Sequence, residues 1–327
     1  MPVACFDLEG PLSPQDNAYE VMGLVDRGKE IFEVISRYDD LLTLAKRQGY
    51  EPGDTLKLIV PFLIYHGITE EDIERVSKRA KVVNGAKETI AHLREAGWKV
   101  HIISTSYQQH AYNIAEQLGV AREDVACTKL ELSKYRNAAG VELVAEVEKT
   151  ILEKLYPRMR DDEIVATLDD FFFNKLQRTQ LGKVFNEVRV VGGRRKVEAM
   201  LGFLKRHNAK LSDCAAIGDS ITDFKMLREV SSGGGIAIAF NGNEYSLPYC
   251  DVAIAARDLR ALLPVMDAFA SGGRSEALEA ARKLQSSGDD EVEYTLFPAA
   301  SDEKLKLTLE VHKRFRALVR GDAAKLG

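Results

Sequence analysis

The sequence predicts an α/β fold: a doubly wound parallel sheet with a helical cap domain inserted after the first strand. Three observations predict it. Short apolar runs, β-branched or small-apolar, each end in Gly, Ser, Asp or Asn, as buried parallel strands do. Segments with a helical period lie between them, so strand and helix alternate with crossover connections. One long stretch after the first run keeps the helical period and contains no convincing strand.

Taken in order, VACF (3–6) is the first strand, and FDLEG carries it to a stop at Gly10-Pro11. From Asn17 to about Lys81 the patterning is helical throughout (YEVMGLV, IFEVISRY, LLTLAKRQ, LKLIVPFLIYHG, EEDIERVSKRA). NGAKETIAHLREAG sets Ala86, Ile90, Leu93 and Ala96 on one face, with Gly97 as a stop. KVHIIS (99–104) is the second strand. Residues 131–190 form a second, irregular insertion that includes VEKTILEKLY and DDEIVATLDDFFFNKL. GRRKVEAMLGFLKRHNAK returns to the helical period through Val197, Met200, Leu201 and Leu204. CAAIG (214–218), GIAIAF (235–240) and the weaker DVAIA (251–255) complete the strands. Beyond about Ser271 the chain is polar and helix-prone, with SSGDDE as a loop and EKLKLTLEVHKRFRALV as an amphipathic helix. The expected division is a core of 1–14, 82–130 and 191–270, a cap of 15–81, an insertion of 131–190 and a helical extension of 271–327.

Composition narrows the function. With 327 residues, 45% hydrophobic and 29% charged, the chain can bury a sizeable core. The net charge of -5 comes from mixed signs without a basic stripe, which argues against nucleic acid. No apolar stretch approaches the roughly 20 residues of a membrane span, and Asp7 and Glu9 interrupt the only candidate leader. Cys5, Cys127, Cys214 and Cys250 are scattered without a CxxC pair, and His66 and His101 read as packing residues, so a cytoplasmic setting is expected.

The chemistry sits where strands end, the edge at which open α/β sheets bind ligands. Asp7 and Glu9, two apart on an extended run, point the same way. Ser104-Thr105-Ser106 follow the second strand, and GDSITD places Asp219 and Asp223 after CAAI. Three carboxylates and several hydroxyls at one edge repel one another unless a cation intervenes, and oxygen ligands suit Mg2+. Alternatively, Asp219 or Ser220 simply starts the helix of ITDFKML. Lys196, 23 residues before Asp219, can reach back and hold an anion against the cluster. A nucleophilic acid, hydroxyls, a lysine and an acid pair, in that order, make a phosphoryl-transfer site. SSGGGIAIAF lacks the GxxxxGK[ST] of a P-loop. GGRRK (192–196) is an anion nest or a solvated loop, with Arg194 and Arg195 unassigned, and DDFFFNKL is core or an interface patch.

In these motifs the chain resembles the haloacid dehalogenase superfamily, and within it the phosphoserine-phosphatase-like enzymes. The four motifs are Asp7-Leu8-Glu9-Gly10, Ser104-Thr105, Lys196 and GDSITDFKML, and GIAIAFNGN is similar to the next strand and loop. The resemblance covers about 1–14, 82–130 and 191–265. It implies that Asp7 is a nucleophile forming an aspartyl-phosphate and Glu9 the general acid/base, its carbonyl also offered to Mg2+. It implies that Ser104, with Thr105, binds phosphate, that Lys196 bridges phosphate and Asp7, and that Asp219 and Asp223 serve the metal. Glu9 departs from the usual Asp; an ACxDLEGxL opening is known among phosphoserine-phosphatase-like members, which implies that Glu is compatible with catalysis.

The expected function is a Mg2+-dependent phosphatase acting on a small phosphorylated metabolite, with Lys196 and Mg2+ holding the Asp7 pKa down and Glu9 titrating nearer neutrality. The alternatives are a phosphotransferase to a small alcohol and a catalytically weak accessory subunit. A second copy or a protein partner could dock on 131–190 or the C-terminal helices, and Arg37 and Arg47 are candidate anion contacts in the cap.

Overall fold

A computed structural model describes residues 1–287, 291–297 and 302–326; the central Gly-Asp-Asp of SSGDDE (288–290) therefore lies outside the described residues. Among the described residues, seven strands form one sheet: Val3–Phe6 (β1), Lys99–Tyr107 (β2), Val125–Thr128 (β3), Cys214–Gly218 (β4), Ile236–Phe240 (β5), Val252–Ala256 (β6) and Val292–Leu296 (β7). The spatial order is β3-β2-β1-β4-β5-β6-β7. The first six are parallel, and β7 runs antiparallel to β6. β1 is central, with Val3 facing Lys99 on one side and Cys214 on the other.

The strands alternate between two cores, as a pleat requires. Ala4, Phe6, Ile102, Ile217 and Ile238 pack on helices carrying Ile90, Leu93, Ile114, Val265 and Met266. Val3, Cys5, Ile103, Ala216 and Ala237 pack on helices carrying Val197, Met200, Leu204, Leu227 and Val230. Helices on both faces make the sheet doubly wound. All four cysteines are buried and free. No helix of the described residues is long and apolar enough to cross a membrane.

Between β1 and β2 the described residues are helical, with helices such as Asn17–Met22, Gly28–Leu44 and Glu70–Ser77. The insertion after β3 is helical as well, and it shares one apolar cluster with the cap. Ile31, Ile35, Tyr38 and Phe62 pack with Val144, Ile151, Phe171, Phe172 and Leu176. Tyr38 stacks on Phe172 with ring centroids 5.9 Å apart, so DDFFFNKL is core. Two chain segments thus build one helical body above the strand ends.

The stretch beyond Ser271, expected to be helical, also carries β7. Its signal is legible: Val292, Tyr294 and Leu296 alternate with Glu293 and Thr295. The final helix, Asp302–Arg320, sets Leu305 and Leu309 against Ala239, Ala253 and Phe297. That seat directs its last turns toward the carboxyl ends of the strands.

Candidate functional site

Asp7 leaves β1 still in register, its N–H donating to the Ile217 carbonyl at 2.8 Å, and this fixes its carboxylate at the sheet edge. Its Oδ1 accepts from the Leu8 N–H at 2.7 Å and from Lys196 Nζ at 2.6 Å. Lys196 is the third residue of the helix Arg194–Arg206, which starts after Gly193. It is fully buried, and the same Nζ donates to Asp223 Oδ1 at 2.7 Å. Burial works against its charge, yet Asp223 and Asp7 together keep its pKa raised. Burial and the charge of Asp223 push the Asp7 carboxyl up, and Lys196 opposes them.

The GDSITD turn closes on Asp223, whose Oδ2 accepts from the Asp219 and Ser220 N–H groups, both at 3.0 Å. The following helix begins at Phe224, so neither Asp219 nor Ser220 is its cap. Asp219 is wholly buried. Its Oδ2 accepts from Arg316 and, at 3.1 Å, from Arg320, while its Oδ1 is buried without a partner. Gly10 lies against this carboxylate with φ +116°, and a Cβ there would sit 2.2 Å from Asp219 Oδ2. That backbone conformation and closeness call for glycine at this position.

Asp7, Asp219 and Asp223 each offer an oxygen within 4.8 Å of the others. A hard cation fits this donor set, and the unpartnered Asp219 Oδ1 is an acceptor awaiting one. Glu9 is not part of the trio. Its Oε1 accepts from the Asn17 N–H at 2.9 Å, where the first cap helix starts, and lies 3.8 Å from His110 Nε2. Burial first, then the charge of Asp16, pushes its pKa up to about 8. Burial lowers His110 to about 3, so the ring is neutral and the contact is not an ion pair.

Asp7, Glu9, Thr105, Ser220 and Arg320 line one cavity of about 60 Å3, roofed by Phe32, Asp39 and Thr55 of the cap. Thr105 therefore faces the nucleophile's space. Ser104 does not line it; it is buried, and its Oγ accepts from the Ser106 N–H at 3.0 Å. A wider cleft of about 530 Å3 adjoins it through Ser36 and Asp40 and carries charges of both signs, among them Glu33, Arg37, Glu244 and Lys313.

Two family models described as haloacid dehalogenase-like hydrolase match this chain, one over residues 4–155 and one over 86–258. The second spans more than half of it. The chain belongs to the haloacid dehalogenase-like hydrolases. A solved structure, gene product AF1437 from Archaeoglobus fulgidus, is 31% identical and superposes with a TM-score of 0.87, covering 100% of this chain and 99% of that one. A curated phosphoserine phosphatase of Archaeoglobus fulgidus is 22% identical over 202 residues, 61% of this chain and 43% of the relative. The match thus spans less than half of that relative's length. A structure of a phospho-aspartyl intermediate analogue of phosphoserine phosphatase shares the fold, with 20% identity, a TM-score of 0.54 and coverage of 80% and 97%.

Within this haloacid dehalogenase-like site, sequence reasoning missed Arg316 and Arg320. The only signal was their spacing, four apart on an amphipathic helix. Of the cap arginines, Arg47 pairs with Asp169 at 2.5 Å away from both cavities, whereas Arg37 lines the wider cleft while pairing with Asp161 at 2.7 Å. The GGRRK stretch does hold an anion, the Glu51 carboxylate, which accepts from the Arg194 N–H at 2.7 Å. Arg195 reaches Asp54 at 2.7 Å, so both arginines tie the cap to the core.

Proposed function

We propose that this chain is a Mg2+-dependent phosphatase that hydrolyses a small phosphomonoester through an aspartyl-phosphate on Asp7. The observation that carries the proposal is one cavity shared by Asp7, with Lys196 at 2.6 Å from its Oδ1, and by Glu9, with its pKa near 8. The hydrogen bonds described to Asp7 go to Oδ1, which leaves Oδ2 to attack phosphorus. As that bond forms, the bond from phosphorus to the leaving oxygen breaks, and Glu9 gives its proton to the departing alkoxide. Glu9 then takes a proton from water as the water oxygen attacks the aspartyl-phosphate, which releases phosphate and restores the Asp7 carboxylate.

Thr105 offers a hydroxyl to the phosphoryl oxygens, and Lys196 holds positive charge beside them. Asp7, Asp219 and Asp223 would hold Mg2+, which when bound supplies charge to the transferring group. The cap roof keeps bulk water out of a space sized for a phosphoryl group. The wider cleft, charged with both signs, takes the rest of a small polar substrate.

The test is phosphate release from p-nitrophenyl phosphate and from O-phosphoserine, with Mg2+ and with EDTA. Turnover is expected with Mg2+ only, and Asp7→Asn should abolish it. A wild-type chain that releases no phosphate from any small phosphomonoester would falsify the proposal.

A further inference from the structure

Three buried carboxylates, Asp7, Asp219 and Asp223, face three buried or nearly buried cations, Lys196, Arg316 and Arg320. The two arginines come from the final helix, far in sequence from the motifs that carry the site. They are fixed there. Arg316 donates through Nε to the Ala324 carbonyl at 2.9 Å and through Nη2 to the Leu326 carbonyl at 2.8 Å, and its Nη1 meets Asp219. Arg320 donates through Nη1 to Asp219 and through Nε to the Pro14 carbonyl at 3.4 Å, and it lines the catalytic cavity. The helix is keyed for this position: Thr308, His312 and Arg316 lie four apart on its buried face. His312 Nδ1 accepts from the Gly242 N–H at 2.8 Å.

Both guanidinium groups address Asp219 Oδ2 and neither addresses Oδ1. We infer that Arg316 and Arg320 are positioning residues that hold one oxygen of Asp219, reserve the other for a divalent cation, and make the cation and the phosphoryl group enter as a pair. The inference rests on the phosphatase reading. Its physical basis is charge balance in a low-dielectric site. Glu9, Asp16, Asp39 and Asp40 line the same cavity, so a phosphate dianion added alone adds to an acidic surround, and a divalent cation beside it offsets that charge. Added together they cancel. Each should therefore strengthen the other's binding by the same factor, as linkage requires.

Isothermal titration calorimetry on the full chain reads this directly, with Mg2+ alone, inorganic phosphate alone, and each in saturating amounts of the other. In the wild type, phosphate should tighten Mg2+ binding by about tenfold or more, within the ordinary range of coupling between sites. Arg320→Met removes one cation from the balance. It should bind Mg2+ alone about tenfold more tightly and inorganic phosphate alone about tenfold more weakly, so that the cation enters without waiting for phosphate. Arg320→Lys should restore both wild-type affinities, which a purely structural role would not require. Arg316→Lys is the second probe, with circular dichroism to establish that each variant is folded. Folded variants that bind Mg2+ alone and phosphate alone with wild-type affinity would overturn the role of the arginines and leave the phosphatase reading standing. A wild type that turns over substrate but shows no coupling would do the same. A wild type that binds no Mg2+ with or without phosphate would overturn both.

Discussion

Half-buried beside Asp16 and against the first cap helix, Glu9 keeps its proton through neutral pH, because its pKa is pushed up to about 8. A general acid must be protonated before the leaving group departs, so its useful form falls off once the pH passes that value. On an alkyl phosphate, kcat/KM should therefore fall above about pH 8, approaching tenfold per pH unit, and this limb should be missing in Glu9→Gln. The same variant should lose roughly 100- to 10,000-fold in rate while still binding Mg2+ and phosphate. With an aryl phosphate, whose leaving group needs little protonation, phosphoenzyme should accumulate in it. Wild-type turnover of an alkyl phosphate by Glu9→Gln would remove Glu9 from the chemistry. The extra methylene of Glu relative to Asp has a visible use here, since it carries the carboxylate to the Asn17 N–H and away from the three-acid cluster.

At the level of elements, the half of the sheet farthest from Glu9 is held by one buried carboxylate. Asp251 accepts from Arg274 at 2.6 and 2.8 Å, from Ser231 Oγ at 2.7 Å and from the Ala237 N–H at 2.8 Å. It joins the start of β6 to β5, to the helix Phe224–Ser232 and to the helix Leu263–Ser287. Asp251→Ala should destabilise the chain by about 1–3 kcal/mol, because the Ala237 N–H loses its acceptor in the interior while the partly exposed Arg274 keeps the Ser231 and Gly235 carbonyls; urea denaturation measures it. Sequence periodicity revealed the elements of this region unevenly. β1, β2, β4, β5 and β6 were legible as apolar runs, and Asp7, Glu9, Lys196, Asp219 and Asp223 because they follow strands or open a helix. β3, VACT, is as long as VACF but was missed because it runs on into Lys129-Leu130 without the Gly, Ser, Asp or Asn that closes the other runs. β7 does alternate, but polar, helix-prone residues on either side outweighed a period-two pattern of only five residues. Thr105 and Ser104 could not be ranked without the direction of each side chain. Arg316 and Arg320 were missed for a different reason: charges on an amphipathic helix ordinarily mark its wet face. Here the buried stripe itself contains Thr308, His312, Arg316 and Arg320, because the surface it covers is an acidic site rather than an apolar core.

Across the whole molecule, core, cap and final helix meet around one small cavity. Lys225 and the Arg194 N–H grip Glu51 from the core side, both at 2.7 Å, and Lys325 reaches Glu33 of the cap at 2.7 Å. The central position of β1 has a further consequence, for the order of assembly. Its paired neighbours lie 96 and 211 residues away in sequence, Val3 against Lys99 and Cys214. The strand that presents the nucleophile therefore has no local partner. Contacts this distant must close long loops before they contribute, which makes folding slow for a chain of this size. Trp98, the single tryptophan, is buried at the foot of β2 near Phe269, with ring centroids 5.9 Å apart. During refolding from urea its fluorescence should report the core as it forms, and phosphatase turnover should never return ahead of it. Turnover recovered first would mean that Asp7 can be placed without the rest of the sheet. The parallel topology argues the reverse: a half-assembled chain holds an aspartate that is merely solvated, and reactivity arrives only with the last long-range closure.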